Sequence, residues 1–144
     1  MKIDKKELVK RAVEVSKNTF DPDGDVKVGS AVLTEKGNIY VGCAIDSVIS
    51  GLGTCAERCA IDNAVSNGEY SFIAIAIYFS SNEFVRPCGA CLQYIYEFSQ
   101  VNNKNIQIIM INKQGKTKTS SIRKLLPKSY GHLEAGHNLK KYRK

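Results

Sequence analysis

Thr54-Cys55-Ala56-Glu57-Arg58 and Pro87-Cys88-Gly89-Ala90-Cys91 decide the reading of this chain. Together they offer three cysteines and one glutamate. Three thiolates can hold a zinc ion and leave a fourth position open to water. The glutamate, two residues after the first cysteine, can shuttle that water's proton. Such a set suits a zinc hydrolase that removes an amino group from a heterocycle.

The spacing also predicts local structure. Cys88 and Cys91, with two residues between them, reach one ion if they open a helix. Cys55 must then come from a second helix N-terminus. The positive end of a helix dipole favours the thiolate that zinc requires. Residues i and i+2 do not share a face of a regular helix. Cys55 and Glu57 can therefore meet at one ion only if their helix begins almost at Cys55. Three thiolates leave the ion with net negative charge, which Arg58 can offset. The backbone amide of Ala56 is placed to bind a ring carbonyl.

Outward from these motifs, the chain reads as alternating helices and strands. Asp4 precedes an apolar periodicity over Lys5 to Lys17, and Asp4 with Glu7 resembles a capping box. Phe20 to Asp25 is a loop by composition. Val26 to Leu33 and Ile39 to Ile45 read as a hairpin about Glu35-Lys36-Gly37-Asn38. Thr54 is placed to cap a helix running to Asn67, with Gly68 ending it. Ser71 to Ser80 is apolar on both sides, as a central covered strand would be. Cys88 to Phe98 reads as helix, Ile106 to Ile111 and Thr117 to Ser121 as strands, and Ile122 to Leu126 as a short helix before Pro127. This order predicts an α/β fold: a three-layer α-β-α sandwich around a mixed sheet of about five strands, in a single domain over residues 1–144.

Composition narrows the class. With 43 % hydrophobic and 24 % charged residues, the 144-residue chain can bury an ordinary core. It has nothing near the roughly 18 consecutive apolar residues of a membrane helix. The N-terminal residues lack the apolar region of a secretory signal, so a cytoplasmic setting with reduced thiols is expected. Five cysteines and a C-x-x-C spacing favour metal over disulfides. A thioredoxin-like redox pair would leave Cys55 and Glu57 without a part. A closed structural zinc site needs a fourth ligand. Cys43, Cys59, His132 and His137 are the possible donors, but the two cysteines suit buried apolar positions and the histidines lie in a Gly-rich C-terminal loop. The net charge of +7 is spread along the chain, with clusters only near its ends. That pattern reads as a solvated surface and argues against a polynucleotide partner.

On these residues the chain resembles the small, tetrameric cytidine deaminases, a family that includes the blasticidin S deaminases. Val28-Gly29-Ser30-Ala31, Leu92-Gln93 after the second zinc segment, and Leu125-Leu126-Pro127 extend the likeness over nearly the whole length. The resemblance implies one zinc ion per subunit on Cys55, Cys88 and Cys91, a catalytic Glu57, and Arg58 bonded to the thiolates. It implies a free nucleoside as substrate, cytidine or deoxycytidine by default. It also implies a homotetramer in which an aromatic, here Tyr130, reaches the next subunit's base. Three positions depart from the family. Its ribose pattern Asn-x-Glu-Asn is replaced by Ala44-Ile45-Asp46-Ser47, its Phe-Pro before the first strand by Val26-Lys27, and the small residue before Pro-Cys by Arg86. A site that loses a group for pairing a hydroxyl changes its discrimination strongly. A modified or analogue cytosine nucleoside, such as blasticidin S, is therefore the alternative substrate.

Overall fold

A computed structural model describes residues 2–143. Its elements are α1 (Lys5–Ser16), β1 (Val28–Thr34), β2 (Ile39–Cys43), α2 (Ala56–Ser66), β3 (Phe72–Phe79), α3 (Gly89–Ser99), β4 (Gln107–Ile111), β5 (Thr117–Ser121) and α4 (Ile122–Leu125). A short 3-10 turn, Lys140–Tyr142, follows. The expected order of elements is present, and the chain folds as an α/β protein around one mixed five-stranded sheet. The expected capping of α1 is half formed: Asp4 accepts the Glu7 amide at 3.1 Å.

The strands lie in the order β2-β1-β3-β4-β5. β1 is antiparallel to both β2 and β3, and β3 is parallel to β4. It follows that β2, β3 and β4 all run the same way. Parallel strands need crossovers, and α2 and α3 are those crossovers. Both helices therefore start from the carboxyl end of a strand, where open α/β sheets hold their ligands.

Side-chain alternation sorts the strands into two cores. Val28 and Val32 of β1, Ile75 and Ile77 of β3, and Ile108 and Met110 of β4 face α2 and α3. Ala31 and Leu33, Ala74 and Ala76, and Ile109 and Ile111 face α1. The three layers are thus α1, the sheet, and α2 with α3. Small residues on the α1 side let that helix lie close. A Cβ on Gly29 would stand 2.1 Å from the Ala12 carbonyl oxygen.

Gly42 does the same for α2. A Cβ there would meet the Ala60 amide nitrogen at 2.3 Å and Cys59 Cβ at 2.5 Å. The helix that carries Cys55 and Glu57 is thus seated directly on β2. Gly42→Ala should push α2 outward and cost about 1–3 kcal/mol of stability, the usual range for overpacking. Urea unfolding would read this as a lower midpoint at unchanged slope.

The structure corrects one boundary. Thr54 does not cap α2; Cys55 occupies that position, with extended φ −70° and ψ 151° and no side-chain capping bond. Thr54 is held instead in a bridge with Ile45, its amide donating to the Ile45 carbonyl at 2.9 Å and its carbonyl accepting the Ile45 amide at 3.0 Å. The bridge pulls Thr54 into extended geometry and hands the cap to the cysteine. On α2, Ala56, Ala60, Ile61 and Ala64 are buried, whereas Cys59, expected in a buried apolar position, is only half-buried.

Candidate metal centre and active site

Cys55 and Cys88 are both helix N-caps with extended backbone, φ −70° and ψ 151° for one, φ −66° and ψ 166° for the other. The Cys55 sulfur makes no capping bond to its own helix. Cys91 sits in the first turn of α3 and is fully buried. The three sulfurs lie within 4.8 Å of one another. Sulfurs bound at about 2.3 Å to one tetrahedral ion lie about 3.8 Å apart, so the arrangement fits zinc. Among the described residues no other group of three or more His, Cys, Asp or Glu is so arranged. Cys43 and Cys59 are half-buried and stand outside the triad, as do His132 and His137.

Electrostatics agree with that donor set. Burial opposes ionisation of Cys88, but the Cys91 and Ala90 amides and the neighbouring thiols outweigh it and hold the thiol below its usual value. Burial pushes the Cys91 thiol well up, and Glu57 and Cys55 add to the effect. A cation among the sulfurs would relieve that cost. Arg58 already leans in this direction: its Nη2 donates to Cys55 Sγ at 3.8 Å, and its bonds to the sulfurs hold the guanidinium firmly charged. Its Nε is buried without a protein partner.

Glu57 follows Cys55 into the helix and is only 5 % exposed. Burial pushes its carboxyl above the usual carboxylate range, against the pull of its own amide, the Cys91 thiol and Arg58. The helix start at Ala56 answers the spacing question raised by the sequence. At the very end of the helix, Cys55 and Glu57 both reach the same cavity.

That cavity has a volume of about 170 Å³. Cys55, Ala56, Glu57 and Cys88 line it, with Arg86, Ala44 and the apolar wall of Val28, Ile77, Phe79 and Val85. A second cavity of about 300 Å³ shares Val28, Ala44 and Cys55 with it. Val26, Asp46, Phe20 and Asp21 line the second. Of the residues expected around a substrate, Ala44, Ala56, Asp46, Val26 and Arg86 are thus brought together. Tyr130 is not: it is 67 % exposed and lines neither cavity. Phe20 and Asp21 belong to a stretch whose composition marks only a loop. The Phe20 to Ile45 bridge brings them in, with the Phe20 amide on the Ala44 carbonyl at 3.0 Å and the Asp46 amide on the Phe20 carbonyl at 2.8 Å. An aromatic opening a polar loop is the one sequence signal that could have marked them.

A family model, the cytidine and deoxycytidylate deaminase zinc-binding region, matches residues 2–108. The chain belongs to this family. It is a zinc-binding deaminase, a hydrolase of C–N bonds. The cytidine deaminase of Sporosarcina psychrophila is 34 % identical over 128 residues, which cover 89 % of this chain and 92 % of that protein. The blasticidin-S deaminase of Bacillus cereus is 31 % identical over 132 residues, 86 % of this chain and 90 % of that one. The crystal structure of cytidine deaminase from Burkholderia pseudomallei matches the fold with a TM-score of 0.81 at 29 % identity, covering 89 % of this chain and all of the other. The fold of this deaminase is therefore that of its relatives.

Proposed function

We propose that the protein hydrolyses the exocyclic amino group of a free aminopyrimidine nucleoside, converting cytidine or deoxycytidine to the uridine form. One observation carries the reading: a buried glutamate and two cysteines line a small cavity with apolar walls, and the buried Cys91 converges on the same two sulfurs. Residues 1–144 act as one catalytic domain. Cys55, Cys88 and Cys91 would hold one zinc ion, and Arg58 offsets the charge of the thiolates. When bound, zinc supplies the Lewis acidity that makes water nucleophilic near neutral pH. Glu57 takes one proton from the attacking water and gives it to the ring nitrogen, then passes the second, from the hydroxyl newly formed on the ring carbon, to the amine, which leaves as ammonia. The low dielectric around it favours a carboxyl that gives its proton back. The Ala56 amide, at the open start of α2, donates to the ring carbonyl.

The second cavity is the sugar site. Its charged lining residues are the carboxylates Asp21 and Asp46, which accept from hydroxyls and repel phosphate. This supports a free nucleoside over a nucleotide or a polynucleotide. Ala44 brings no polar side chain to the sugar, and Val26 gives an aliphatic surface where the family has an aromatic one. Phe20 on the same cavity supplies the aromatic surface instead. Arg86 stands at the base cavity beside Cys88. Two carboxylates would equally seat a cationic substituent, which keeps an analogue such as blasticidin S as the second substrate.

Assembly completes the site. Val48 is 99 % exposed and Ile49 and Leu52 stand out beside it on the loop that leads to Cys55. We place this loop at a subunit contact of a homotetramer and Tyr130 at a neighbour's base cavity. Reduced thiols fit the cytoplasm, and pyrimidine salvage is the setting such a reaction serves.

The deciding experiment is ammonia release from a panel of cytidine, deoxycytidine, deoxycytidylate, cytosine and blasticidin S, with Glu57→Ala as the blank. Turnover of cytidine is expected. Turnover of deoxycytidylate alone would refute the sugar-site reading. Sedimentation of Val48→Glu should show chains smaller than the wild-type assembly, with reduced activity. An unchanged mass would remove this loop from the interface.

A further inference from the structure

The reaction uses neither histidine of the chain, and the structure puts both in one place. His132 Nδ1 and His137 Nδ1 are 3.0 Å apart, with ring centroids at 5.3 Å. The backbone arranges this. The His137 amide donates to the His132 carbonyl at 2.9 Å, and Gly136 turns the chain between them at φ +79°. The loop is also fastened to α3. Leu133 donates its amide to Gln100 Oε1 at 3.1 Å, and Gln100 Nε2 donates to Glu134 at 2.7 Å. The rings border a cavity of about 380 Å³ between α3 and the C-terminal segment.

The outer nitrogen of His132, Nε2, lies 3.3 Å from Glu97 Oε1. When Nε2–H donates to that carboxylate, neutral His132 carries its lone pair on Nδ1, aimed at His137. A carboxylate on the far nitrogen is the usual outer partner of a metal-bound histidine. Two imidazole nitrogens at about 2.1 Å from one ion and at right angles lie about 3.0 Å apart. Right angles belong to square or octahedral coordination, which suits Ni²⁺ or Cu²⁺ better than tetrahedral Zn²⁺.

We propose that His132 and His137 form a second metal site, separate from the cysteine triad, which takes a late divalent transition ion through both Nδ1 atoms while Glu97 orients His132. His132 is 41 % exposed at its side chain, which leaves room for waters to complete the coordination. Binding moves the proton that His137 carries on Nδ1 in the free pair to its Nε2, so both Nδ1 atoms meet the ion with a lone pair. The bound ion clips the loop after Tyr130 into a single closed unit on α3.

The test is calorimetric titration of Ni²⁺ into zinc-loaded protein without a histidine tag, with zinc measured in the same samples. One Ni²⁺ per chain is expected in addition to the zinc. His132→Ala and His137→Ala should each weaken it by about tenfold or more, and Glu97→Gln by about tenfold while the site remains. Ni²⁺ should raise the melting temperature of the wild type but not of His137→Ala. His137→Gln, which keeps the side chain's bulk, guards against misfolding and should behave as His137→Ala does. No additional equivalent, Ni²⁺ taken up only in exchange for zinc, or binding that survives the histidine substitutions would each overturn the proposal.

Discussion

Glu57→Gln is expected to lower kcat for the best nucleoside by about 10²–10⁴-fold, the range that a positioned acid–base group contributes. KM and zinc content should stay close to wild type. Glutamine keeps the volume of the side chain and its hydrogen-bonding length, so the cavity and the α2 start remain as they are. What it loses is the capacity to take and return a proton. Glu57 is the one carboxylate among the residues lining the base cavity. Asp46 lines only the second cavity and cannot substitute for it. Folding should not suffer, because the substitution removes an ionisable group from a buried position. Steady-state kinetics with metal analysis and a melting curve would decide the matter. Activity within about tenfold of wild type would mean that another group moves the proton.

The parts of the site that were legible in the sequence are those that local physics fixes. Cys55 and Cys88 had to open helices because thiolates are favoured there, and both are N-caps. Apolar residues on both faces of Phe72–Phe79 marked a strand covered on both sides, and β3 lies at the centre of the sheet. The layer count followed from the order of elements. Contacts between distant segments were not legible. Thr54 has the chemistry of a cap, yet its bridge to Ile45 outweighs that propensity. Phe20 and Asp21 belong to a loop by composition, and a backbone bridge carries them to the cavity wall. His132 and His137 lie in a segment without periodicity. Their meeting depends on one turn and on side chains of α3 that no local pattern announces.

The triad should fail as a unit when one thiolate is removed. Cys91→Ala is expected to bring zinc content after dialysis from about one ion per chain to a small fraction, and to abolish turnover. Two thiolates from two different helix ends remain, and neither is on a strand that would hold them together. The loss should also reach stability. Cys91 is buried in the first turn of α3, and without an ion the sulfurs at the two helix starts lose the ligand they would share. Apparent zinc affinities in small domains are worth about 10–16 kcal/mol. Even a small part of that, transmitted through the two helix starts, would lower the melting temperature by several degrees. Cys59→Ala is the control. Cys59 lies one turn beyond Cys55 on α2 and outside the triad, so zinc and activity should survive its loss. Equal zinc loss in both variants would show that the disturbance comes through α2 packing rather than ligation. Loss confined to Cys91→Ala, with matching loss of activity, ties the chemistry to the three sulfurs at the two helix starts.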